Sequence, residues 1–259
     1  MQRRNFVKSS FIGAAAVSSG FTSYARQKAV EGRQVYDLRC YQMVRNYRKN
    51  DLDRYLREAL IPALNRMGVE NVGCFTPLGK AEPVVVYVLI PYQSGTDYFR
   101  ITRELPKDEA FLKASEFYDK QPPENPVFSR YKSSLLDAFE GFPGLKVPGE
   151  KKNLFEIRTY EGYNEDAVRR KVAMFNNGEI DIFLNNDFNP VFYSQDLVGD
   201  NLPCLTYMLA FSNMEERDER WKAFGSDPDW KRMSSDPVYA NTVSRIHKTF
   251  LEPLPYSQI

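Results

Sequence analysis

"VYDLRCYQ", residues 35–42, returns as "LFEIRTYEG", residues 154–162, so that Tyr36, Asp37, Leu38, Arg39 and Tyr41 align with Phe155, Glu156, Ile157, Arg158 and Tyr160. Behind the first copy, Leu52, Tyr55, Leu56, Ala59 and Ala63 recur at helical spacing after a cap at Asn50 or Asp51, with Pro62 as a kink and Gly68 as a stop. Behind the second copy, Asn164 caps a stretch carrying Val168, Val172 and Phe175, and "NNG" (176–178) ends it. Each half then offers a short strand, 72–79 against 190–199. A longer one follows, "VVVYVLIPY" against "LTYMLAFSN", apolar on both faces and aligning Tyr87 with Tyr207. A second helical region spans 98–118 in one half and 214–233 in the other, where Asp227 and Pro228 restart it. The halves close with 129–139 against 244–254, which aligns Arg130 with Arg245 and Lys132 with His247. Four matched segments in one order exclude an accidental echo.

Each half therefore reads β-α-β-β-α-β, the split order of a ferredoxin-like unit. The expected fold class is α+β: two tandem ferredoxin-like repeats, residues 33–139 and 153–259, packed sheet to sheet as a dimeric α/β-barrel-like structure. The Gly/Pro/Lys-rich stretch 140–152 is the linker.

Across 259 residues, 35 Lys plus Arg balance 34 Asp plus Glu, which argues against nucleic acid or an anionic membrane surface as a partner. Residues 1–25 stand apart. Paired Arg3 and Arg4, a short apolar run from Phe11 to Phe21 and "SYA" at 23–25 resemble a twin-arginine signal peptide. That reading expects the twin-arginine export machinery as a partner, a periplasmic or extracellular destination, and a mature chain with no membrane span. Cys40, Cys74 and Cys204 form no C-x-x-C pair and read as buried apolar thiols.

Beyond the repeat, "VYDLRCY", "LFEIRTY", "NPVFYSQDLVG", "LTYMLAF", "FGSDPDWKRM" and the tail "PYSQ" are similar to the NIPSNAP family. The similarity is fullest over 153–259; the first half lacks an Asp-Pro-x-Trp segment. It implies the tandem barrel and names no reaction, since this barrel serves monooxygenases, haem enzymes and binding modules alike.

Strand alternation places Asp37, Arg39 and Tyr41 on one face and Tyr36, Leu38 and Cys40 on the other, with Glu156, Arg158 and Tyr160 matching the first set. If the apolar face meets the helices, the polar set lines the barrel interior, joined by Arg130 and Arg245 from the last strands. Such an interior is net positive and suits a small anionic or phenolic organic ligand. The competing reading makes the acid–arginine pairs internal struts. His247 is the only histidine. It excludes a multi-histidine metal site and is the single candidate for a general base, or for an axial bond if a haem were held. No metal and no other cofactor is expected. Three functions stay open: a ligand-binding protein, a cofactor-independent monooxygenase or isomerase, and an interaction module with a filled barrel. A homo-oligomer is compatible with each. Trp221 and Trp230 read as packing under the second helical region.

Overall fold

The computed structural model describes residues 32–43, 48–79, 82–149 and 152–259; the signal-like residues 1–25 lie outside these. The first half contributes strands β1 (Val35–Gln42), β2 (Gly73–Pro77), β3 (Val85–Tyr92) and β4 (Arg130–Ala138). The second contributes β5 (Leu154–Glu161), β6 (Asn189–Val198), β7 (Cys204–Phe211) and β8 (Arg245–Pro253). The order β1-β3-β2-β8-β5-β7-β6-β4 closes on itself, and every pair is antiparallel. Each half keeps the ferredoxin-like order with its first strand between its third and fourth. The edge strands β2 and β4 pair with β8 and β6, so the two sheets form one barrel and leave no sheet edge along their paired lengths.

Outside the barrel lie α1 (Lys49–Tyr55), α2 (Ile61–Arg66), α3 (Gly95–Glu104) and α4 (Glu109–Asp119) for the first half. Their second-half counterparts are α5 (Glu165–Met174), α6 (Ile180–Asn185), α7 (Met214–Ser226) and α8 (Pro228–Ser234). The first helical region is interrupted in both halves, by a π-turn at Leu56–Leu60 in the first and by a kink within Phe175–Glu179 in the second. Pro62 lacks the N–H that an unbroken ladder needs, which accounts for the first. In the second, Gly178 at φ 141° breaks the helix at the expected "NNG" stop, and a further helix that the sequence reading did not include, α6, follows at once. Asn164 caps α5 as expected, its side chain accepting from the Ala167 amide.

The strand faces are the reverse of the sequence expectation. Tyr36 and Phe155, with Leu89, Leu136, Phe192 and Met208, form a solvent-free cluster that fills the barrel interior. Tyr41 packs in the helix-side core of the first half and Tyr160 in that of the second. Asp37, Arg39, Glu156 and Arg158 share the faces of those tyrosines, between sheet and helices. In a closed barrel both strand faces are buried, so a strand's own amphipathicity does not say which face is inside. The alignment of Tyr87 with Tyr207 is off by one for the same reason: the register sets Tyr87 against Cys40 and Thr206 against Thr159. Tyr87 therefore packs on the interior cluster and Tyr207 on the helices. At one end, Leu145 of the linker and the C-terminal Ile259 plug the barrel. The other end is open.

Candidate functional site

Two polar constellations compete for the role of site. The first is the acid–arginine–tyrosine set, and its second-half version is closed on itself. Glu156 is fully buried and accepts from Arg158 Nε at 2.7 Å, Arg217 Nε at 2.9 Å and the Trp221 indole N–H at 3.0 Å. Burial pushes its carboxyl up, but the Arg217 hydrogen bond and the Arg158 charge outweigh that and hold it below the usual range. Arg158 lies over the Trp221 ring at 3.7 Å and donates to the Tyr160 hydroxyl, which bonds Tyr207 at 2.7 Å. The first-half version is smaller: Arg39 Nε and the Ser133 hydroxyl donate to Asp37 at 2.8 and 2.6 Å. The second-half set is a strut that ties α7 to β5 through Arg217 and Trp221, whereas the first-half set joins β1 to β4 within the sheet. Trp221 and Trp230 pack in the helical layer. Arg130 and Arg245, on the interior-facing side of β4 and β8, are exposed at the strand starts.

The second constellation lies at the open end, where the interior cluster gives way to a recess of about 190 Å³. Leu38, Tyr87, Ile157, Thr159, Thr206 and Thr249 line it, with Ser134, Asp196 and His247. The β4–β6 register jumps from Leu136↔Asp196 to Leu135↔Val198, so Leu197 is the extra residue of a β-bulge beside Asp196. Pro77 occupies the corresponding place in the first half, opposite Leu251. The recess is thus built by both repeats and carries its acid on one side only.

Asp196 is buried, and its Oδ2 accepts from the Thr206 hydroxyl at 3.2 Å, which in turn bonds Thr159 at 2.9 Å. Its Oδ1 makes no hydrogen bond of ordinary length among the described residues, and the one donor near it is the weak Cys204 thiol, which also lies 3.8 Å from the Asp200 carbonyl. Burial pushes the Asp196 carboxyl up to about 6, with the Thr206 hydroxyl and the nearby Cys204 thiol offsetting part of the rise. Tyr87 stays a neutral hydroxyl, since burial pushes it to about 12. His247 sits at the rim, 44% exposed, with Nε2 held 2.5 Å from Glu161 Oε1. A haem on His247 does not fit: that nitrogen is engaged, and the recess is far too small for a porphyrin. A wider groove beside α5 is charged, but its Arg33 and Asp137 satisfy each other at 2.8 Å.

With the arginines outside, the interior is not basic. Among the two acids and the histidine of the recess lining, Asp200 is paired with Lys132 and His247 with Glu161, which leaves Asp196 without a charged partner. A lone buried acid does not supply the positive lining that the sequence led one to expect. Sequence reasoning passed over Asp196 because nothing marks a bulge within "FYSQDLVG".

The hairpin after β6 covers one side of the recess. Gly199, at φ 152°, lies so close to Ser134 that an added Cβ would clash with its Oγ. Gly199→Ala is expected to destabilise the protein by about 1–2 kcal/mol, read by denaturant midpoint, because backbone strain and hairpin displacement combine.

Closed tandem sheets with an open-ended recess define a class, the dimeric α/β-barrel proteins in which one chain supplies both sheets. Residues 155–258 match the NIPSNAP family model, which is less than half of the chain and lies in its second half. A solved structure of a candidate monooxygenase from Fusobacterium nucleatum is similar over 86% of this chain and 93% of its own, at 10% identity and a TM-score of 0.57. Another candidate monooxygenase, from Lactobacillus acidophilus, covers 85% of this chain and 94% of its own at 10% identity and a TM-score of 0.58. A NIPSNAP family protein of unknown function from Agrobacterium tumefaciens is 22% identical over 41% of this chain and 92% of its own, with a TM-score of 0.36. No curated protein matches the chain.

Proposed function

We propose that the protein binds an uncharged, single-ring organic molecule bearing a hydroxyl group in the open-end recess, and that Asp196 accepts its hydrogen bond. The observation that carries this reading is the Asp196 Oδ1 atom, buried and without a hydrogen bond of ordinary length among the described residues. An unpaired buried carboxylate oxygen is costly, and a ligand donor relieves it. Aliphatic Leu38 and Ile157 suit the ring, and the Tyr87, Thr159 and Thr249 hydroxyls offer neutral contacts.

A second reading is favoured by the position of the Asp196 carboxyl near pH 6. A base so placed is matched to taking a proton from a phenol or an activated C–H at neutral pH. The electron-rich anion that results is what a cofactor-independent monooxygenase or isomerase requires. The candidate monooxygenases that share the fold are compatible with this enzyme reading.

Saturation-transfer NMR with 4-methylphenol, 4-methylbenzoate and 4-methylbenzylamine tests the binding. Only 4-methylphenol should bind strongly; Asp196→Asn should weaken it at least tenfold, and His247→Gln should leave it within a factor of about two. Preference for the benzoate, or indifference to Asp196, would contradict the assignment.

A further inference from the structure

The open end carries a surface that the recess alone does not explain. Seven of the exposed large apolar side chains sit there: Leu78 after β2, Tyr131 in β4, Tyr163 after β5, Leu197 and Val198 in β6, Leu202 before β7, and Ile246 in β8. β1 and β5 end at this end, and β4 and β8 begin here, so these residues encircle one rim instead of gathering in a groove. The repeated starts "SRYK" (129–132) and "SRIHK" (244–248) set basic residues among them on opposite sides of the barrel. Lys132 pairs with Asp200 and His247 with Glu161, whereas Arg130, Arg245 and Lys248 have no carboxylate partner among the described residues. The near-neutral charge of the whole chain hides this local excess.

We infer that the rim docks on a lipid surface bearing anionic headgroups, with the recess opening toward the lipid. An annulus of apolar side chains interleaved with unpaired cations matches the boundary between headgroups and acyl chains. The unpaired cations supply the charge complementarity. Each basic side chain near an anionic surface contributes roughly fivefold in affinity. Three of them contribute on the order of a hundredfold at low salt, falling as salt rises. The inference stands apart from the ligand reading, because it uses none of the residues that line the inner recess.

Vesicle flotation with the full chain is the test, comparing phosphatidylcholine vesicles with phosphatidylcholine–phosphatidylserine vesicles. Wild type should float with the anionic vesicles, hardly with the neutral ones, and less at high salt. The triple variant Arg130→Gln, Arg245→Gln, Lys248→Gln should lose about a hundredfold in affinity, and Leu197→Ser with Leu202→Ser at least tenfold. All these proteins keep residues 1–31, so the difference reports on the rim. Equal flotation of wild type and the triple variant overturns the inference. So does a stable dimer that Leu197→Ser and Leu202→Ser dissociate, since a second copy would then cover the rim. A wild type that binds 4-methylphenol but no vesicle overturns docking alone; one that binds vesicles but no phenol overturns the ligand reading alone.

Discussion

Glu156→Gln is expected to destabilise the protein by about 3 to 5 kcal/mol while leaving affinity for a molecule in the recess unchanged. The substitution leaves Arg158 and Arg217 without their carboxylate in a largely buried layer, and removing one partner of a buried ion pair has consequences of that size. Glu156 lies on the far side of β5 from the interior-facing Phe155 and Ile157, so no ligand contact is lost. Its folded-state pKa is lowered, so its contribution is present above the ordinary carboxyl range and is lost as pH falls through the folded value. Chemical denaturation of wild type and variant should therefore differ most at neutral pH and converge in acid. A variant of wild-type stability that fails to bind ligand would return the acid–arginine pair to the site.

Asp196→Asn should act in the opposite sense, making the folded protein more stable at pH 8. The folded-state pKa is raised, from 3.8 to about 6. The stability linked to this group is therefore complete below the unfolded value and is lost as pH rises through about 6. The displacement corresponds to about 3 kcal/mol of strain on the ionised form at pH 8. An asparagine carries no charge to desolvate and keeps an oxygen for the Thr206 hydroxyl. A gain of about 2 kcal/mol at pH 8 that disappears below pH 4, together with loss of 4-methylphenol binding, is the expected pattern. Stability held back at a binding group is a common mark of a functional site.

The two variants divide what the amino-acid sequence made legible from what it hid. The repeat was readable because "VYDLRCYQ" and "LFEIRTYEG" head matched segments whose spacing admits one topology. Closure of the barrel followed from two sheets that each lacked a cover. The inward face was not readable: Tyr36 and Phe155 are as apolar as a helix-facing residue would be, while Glu156 owes its burial to Arg217 and Trp221, about sixty positions away. Only the three-dimensional pairing of α7 with β5 makes an acid–arginine pair comfortable under helices. His247 was marked by its rarity and does reach the recess, but at its exposed rim and already paired. Asp196 was hidden because a one-residue bulge, not a motif, sets its place.

The central claim is that the chemistry of this barrel is carried at its open end by Asp196 and not by the paired arginines. Carboxyl ¹³C NMR of aspartate-labelled protein, with the resonance identified through Asp196→Asn, tests it most directly. A midpoint near 6 that moves when 4-methylphenol is added is the predicted result. A midpoint in the ordinary aspartate range near 4, unmoved by the phenol, would contradict it.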